Sequence, residues 1–123
     1  MILGVEKLVS HLQTNKIPFA ISTGSSNEAF DQKATNLGDF FSKFDFIVKC
    51  GSDPEVKSGK PAPDAFDVAR GRFKPVPPAA KCLAFEDAPN GVESALAAGM
   101  QVVMVPDKQL DRKLTTKGMI FTY

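Results

Sequence analysis

Apolar residues recur along this chain in two rhythms. Val5, Leu8, Val9 and Leu12 fall at helical spacing and predict an amphipathic helix from Val5 to about Asn15. The unbroken apolar runs PFAIS from Pro18, FIVKC ending at Cys50, CLAF from Cys82 and QVVMV from Gln101 predict buried strands. Between them lie polar or capped segments that predict helices. One runs from about Asn27 to Asn36, with Ser25 or Ser26 as N-cap. A second starts near Pro63 at its first position, with Asp64 favourable in the first turn, and ends about Phe73. A third is NGVESALAAG, with Asn90 and Glu93 at N-cap and N3 spacing and Gly99 suited to the position after the helix. Phe40, Phe41, Phe44 and Phe46 predict core packing under a short helix. After Pro106 the chain turns polar, predicting at most a weak helix, and GMIFTY reads as a last edge strand. Strand and helix alternate, so the expected class is α/β: a mostly parallel sheet with helices on both faces.

Composition narrows this to one domain spanning residues 1–123. Apolar residues make up 43% and charged residues 24%, close to globular averages, which excludes a disordered or fibrous chain. Fifteen basic and 14 acidic side chains leave a net charge of +1, too balanced for a nucleic-acid or anionic-membrane footprint. The N-terminal apolar stripe is interrupted by charge, unlike a signal peptide, and no run is long enough to cross a membrane. Cys50 and Cys82 match no metal or CxxC spacing, and a reduced, cytoplasmic setting is the simplest expectation. His11 falls beside the first helical stripe, where a packing or solvated role is expected.

Candidate chemistry concentrates at three places. Glu86 and Asp87 end the CLAF strand, where an open α/β sheet gathers its ligands, and paired carboxylates there suit a hard divalent cation such as Mg²⁺. Capping of the next helix is the simpler alternative for them. The turn Ser22-Thr23-Gly24-Ser25-Ser26-Asn27 offers hydroxyls and backbone N–H groups between a strand and a helix, an arrangement suited to phosphate. The Gly- and Pro-rich stretch from Gly51 to Asp64 is long enough for a functional loop, and it places Lys60 just before a helix. There an ammonium group is able to screen phosphate or carboxylate.

In this order, Ser22 in FAISTGSS, Lys60 in KSGKPAPDAF and Glu86-Asp87 in FEDAPNGVESALAAGM resemble the haloacid dehalogenase (HAD) superfamily. The chain is similar to the post-cap half of its pseudouridine-5′-phosphatase, or GS-one-like, branch, over nearly all residues from Gly4 to Gly118. The resemblance implies Mg²⁺-dependent hydrolysis of a small phosphomonoester through an aspartyl-phosphate. It assigns Ser22 and the Thr23 amide to the phosphoryl oxygens. Lys60 would neutralise the nucleophile and the phosphoryl group, and Asp87 and Glu86 would hold Mg²⁺.

Members of that family begin with a strand ending in Asp-x-Asp, followed by a cap. No Asp-x-Asp occurs in this chain. Half of a site is therefore expected, in either a fragment of a phosphatase or a non-catalytic binding module. A receiver domain also combines carboxylates, a hydroxyl and a lysine, but its acidic pair comes first in the chain, and no GxGxxG supports a dinucleotide fold. The missing strand belongs at the centre of the sheet, between the strands at Phe19 and Cys82. Its loss would leave a slot of roughly 10 Å. The expectation is that the two strands collapse together or accept a strand from another chain, with exposed edges prone to aggregate. A central strand built from this chain's own residues would refute the family placement. A full-length form is expected to be monomeric.

Overall fold

A computed structural model describes residues 3–24, 38–86, 88–105 and 117–122. The helical stripe forms α1 (Leu3–Thr14), and the PFAIS run forms β1 (Phe19–Thr23). Next come α2 (Gly38–Phe41) and β2 (Ile47–Lys49), then the loop that carries Lys60, then α3 (Asp64–Arg72). A single 3₁₀ turn, Ala79–Lys81, leads into β3 (Cys82–Glu86). The chain continues through α4 (Pro89–Ala97), β4 (Gln101–Met104) and β5 (Lys117–Thr122). The helices expected over Asn27–Asn36 and after Pro106, and the caps at Ser25 and Ser26, lie outside the described residues.

The five strands form one sheet in the order β2-β1-β5-β3-β4. β1 pairs with β2 in parallel, and β3 pairs with β4 in parallel. β5 runs antiparallel to both β1 and β3, in register from Phe19↔Phe121 to Thr23↔Lys117 on one side and from Cys82↔Thr122 to Phe85↔Met119 on the other. The mostly parallel α/β class holds, but two expectations fail. The segment read as an edge strand is the central one. The slot between β1 and β3 neither collapses nor waits for another chain, because β5 fills it and satisfies the backbone groups on both sides. Consecutive apolar residues Met119, Ile120 and Phe121 suit a strand covered on two faces, and this is the physical reason for its place.

Each face carries its own core. On one, Ile120 lies in register between Ala20 and Ala84, a large side chain flanked by two small ones, and Phe66, Ala69 and Ala95 of α3 and α4 pack over them. On the other, Phe19 and Ile21 meet Val9 and Leu12 of α1 together with Phe40, Phe41 and Phe44, and Met119 and Phe121 pack against them. The rings meet edge to face, with Phe19 and Phe44 centroids 4.9 Å apart and those of Phe40 and Phe44 5.3 Å apart. The expected aromatic core is therefore present. Phe46 belongs to the first face instead, edge-on to Phe73 at 4.9 Å.

Helix ends follow local chemistry. α4 begins one residue earlier than Asn90, with Ala88 as N-cap and Pro89 at the first helical position, so the expected Asn90–Glu93 capping box does not form. Proline prefers that position because its φ is already helical and no N–H is needed there. The other end behaves as expected. Gly99 takes φ +82°, its N–H bonds to Leu96 O at 2.9 Å, and the Met100 N–H bonds to Ala95 O at 3.1 Å, the Schellman pattern.

Candidate active site

β1 and β3 run the same way, so their carboxyl ends, Thr23 and Glu86, meet at one edge of the sheet with the first residues of β5 between them. Onto this edge folds the loop from Gly51 to Pro63, held by three side chains of α3 and α4. Asp64 Oδ2, at the start of α3, accepts from the backbone N–H of Lys57 at 3.0 Å and of Ser58 at 3.1 Å. Arg72, in the last turn of α3, forms ion pairs with Asp53 and Glu55, each at 2.7 Å. Partial burial of Asp53 is outweighed by the Glu55 N–H and the Arg72 guanidinium, which hold its carboxyl below the usual range. Ser94 Oγ, from α4, donates to Ala62 O at 2.6 Å.

Lys60 sits at the second position of a turn closed by the Ala62 N–H on Gly59 O at 3.0 Å. Its ammonium reaches inward, donating to Glu86 Oε1 at 2.5 Å and to the backbone carbonyl of Ser22 at 3.2 Å, with the Phe66 ring centroid 5.0 Å away. The pair is well shielded, with 9% of the Lys60 side chain and 2% of Glu86 exposed. The Glu86 carboxylate lies against Gly91, near the N-terminus of α4, so closely that a Cβ there would overlap it. The helix dipole favours a negative charge in that place.

Three of the expected site residues, Ser22, Lys60 and Glu86, thus converge. The Ser22 contact is made by its carbonyl. Its hydroxyl is fully buried and donates to Ala65 O at 3.0 Å, with Cys50 Sγ 3.5 Å away. Thr23 is also buried, and its carbonyl accepts from the Cys50 N–H at 2.8 Å. Burial pushes the Cys50 thiol up from its ordinary value, against the pull of Ser22 and Lys60, so the sulfur beside this site is a neutral thiol at pH 7. Asp87, the other expected metal ligand, lies outside the described residues. Among the described residues no three His, Cys, Asp or Glu side chains gather to hold a metal ion. Glu86 is a donor of the hardness Mg²⁺ prefers, but it is one carboxylate already paired with a lysine. The described donors therefore do not complete a Mg²⁺ site.

A family profile described as haloacid dehalogenase-like hydrolase matches residues 1–99. The chain belongs to the haloacid dehalogenase-like hydrolases. It is 49% identical over 113 residues to a probable pseudouridine-5′-phosphatase of Drosophila melanogaster, covering 92% of this chain and 49% of the relative. It is also 49% identical over 109 residues to (DL)-glycerol-3-phosphatase 2 of Arabidopsis thaliana, with 88% and 45% covered. A probable pseudouridine-5′-phosphatase of Saccharomyces cerevisiae is 35% identical over 109 residues, with 84% and 46% covered. The chain spans about half the length of the curated relatives it matches. The central strand expected to refute this placement is present, and that expectation is wrong: the family match stands, and β5 lies beyond its residues 1–99 and enters antiparallel.

Two residues of this haloacid dehalogenase-like site were not singled out as functional. Gly91 reads only as the residue after Asn90 in the NGVESALAAG helix, although a residue without a side chain a few positions after paired carboxylates is a sign of close approach. Ser94 lies at a helical position that carries no such sign. Elsewhere, a 370 Å³ groove lined by Leu12, Lys16, Ile17, Phe19, Lys43 and Asp45 opens at the beginning of β1, the opposite end of that strand from Lys60.

Proposed function

We propose that the chain carries the lysine and acidic motifs of a Mg²⁺-dependent phosphomonoester hydrolase whose substrate is a small monophosphate, pseudouridine 5′-phosphate or one similar to it. The observation behind this reading is the convergence of Lys60, Glu86 and the Ser22 carbonyl at one sheet edge. A cation held there between oxygen groups is suited to balance the charge of a transferring phosphoryl group. In this reading Lys60 supplies the positive charge beside the carboxyl end of β1 at Ser22 and Thr23, and Asp87 joins Glu86 in holding Mg²⁺, which would act as Lewis acid and template. A cytoplasmic location and a monomeric full-length form belong to the same reading.

The lack of Asp-x-Asp in the sequence favours a second reading for these 123 residues taken alone. With no such nucleophile, and with Lys60 neutralised by Glu86, they form a non-catalytic module. Phosphate release from pseudouridine 5′-phosphate and glycerol 3-phosphate, with and without Mg²⁺, separates the two. It is measured on the 123-residue chain and on the endogenous protein captured with an antibody to its C-terminal half. The expected result is no release by the chain and Mg²⁺-dependent release by an endogenous species heavier than 13.3 kDa. An endogenous species of 13.3 kDa that releases nothing would overturn the enzymatic reading.

A further inference from the structure

The geometry points to Ser94 as a positioning residue for Lys60, an inference that rests on Lys60 being the cation of the site proposed above. A serine inside a helix ordinarily points its hydroxyl to solvent or back to a carbonyl of its own helix. Ser94 instead reaches out of α4 and donates at 2.6 Å to Ala62 O, and its side chain is fully buried. Ala62 closes the turn Gly59–Ala62 in which Lys60 sits. Arg72 on Asp53 and Glu55, and Asp64 on the amides of Lys57 and Ser58, hold the loop earlier along its length.

Gly91 and Ser94 are three positions apart and therefore share a face of α4. Gly91 admits the Glu86 carboxylate, and Ser94 holds the turn that delivers Lys60. One helix face thus fixes both partners of the ion pair. Without the Ser94 hydroxyl, the turn loses its anchor and the ammonium spends more time away from Glu86 and Ser22 O.

Trace acetylation of the folded chain, read by peptide mass spectrometry, tests this directly. Lys16 and Lys43, both exposed, serve as internal references. In Ser94→Ala the labelling of Lys60 relative to these two rises about fivefold, the change expected from one lost hydrogen bond. Val9→Ala, which weakens the core on the other face of the sheet, leaves the ratio unchanged. An unchanged ratio in Ser94→Ala, or an equal rise in Val9→Ala, would overturn the inference. If Ser94→Ala does not fold, Ser94→Cys, which keeps the volume and weakens the donor, is read by the same two outcomes. No turnover is needed. A raised ratio in Ser94→Ala, together with an endogenous protein that releases no phosphate, keeps the positioning role and removes the phosphatase reading, and an unchanged ratio together with an active endogenous protein removes Ser94 alone.

Discussion

Glu86 holds a carboxylate with 2% of its side chain exposed, and its environment is tolerable because an ammonium stands 2.5 Å away and a helix start lies beneath it. Gly91 is the condition for that. Substituting Gly91→Ala improves helix propensity by about 1 kcal/mol. It also pushes the carboxylate off its place, and breaking a buried ion pair costs about 3–5 kcal/mol. The second effect wins, so the urea midpoint of Gly91→Ala falls by the equivalent of about 2 kcal/mol or more. A gain in stability would show that the carboxylate is not pressed against α4. At this scale the sequence was legible where residue type and place on a strand coincide. Lys60 before a helix and Glu86 at the end of a strand are of that kind. Gly91, Ser94 and the inward turn of the Ser22 hydroxyl depend on how α4 and α3 seat on the sheet, which neither spacing nor composition encodes.

Among the elements, ends were less legible than interiors. α1 closes with the same Schellman bonds as α4, the Ile17 N–H on Leu12 O at 2.9 Å and the Lys16 N–H on Gln13 O at 3.1 Å. The residue at its left-handed position is Lys16, with φ +56°. That conformation costs an L-residue about 1–2 kcal/mol, whereas glycine gives back about 0.5–1 kcal/mol in lost backbone freedom. Lys16→Gly therefore stabilises the protein by roughly 0.5–1 kcal/mol, seen as a rise in Tm. A fall would mean that the Lys16 side chain makes a contact worth more than the strain. The loop from Gly51 to Pro63 stands out in the sequence by its length, but the side chains that hold it do not. Asp64 was read as a dipole partner of α3, and its carboxylate in fact also binds two amides of the preceding loop.

For the whole molecule, β5 decides the architecture. Each of its edges carries a ladder, and β2-β1 and β3-β4 are joined in the sheet through it. Ile120, with no exposed surface and an alanine on either side, is its centre. Ile120→Ala is expected to cost about 2–5 kcal/mol, a large fraction of the stability of a small domain. Val103→Ala, on the edge strand β4 and 40% exposed, should cost far less, and equal losses in chemical denaturation would contradict the central place of β5. The class of fold was readable from alternating strands and helices. The position of β5 was not, because adjacency in a sheet is settled by which backbone edges remain unpaired.

The same topology sets a timetable for the ribosome. β1 is complete at Thr23, yet its central partner begins only at Lys117. At about 5–20 residues per second, the apolar strands β1 and β3 leave the exit tunnel and wait for seconds with open edges. Such non-local pairing is also slow to form once the strand arrives. The nascent chain is thus most in need of chaperone cover between the synthesis of β1 and the emergence of β5, and a stall in translation anywhere in that interval exposes an unfinished sheet.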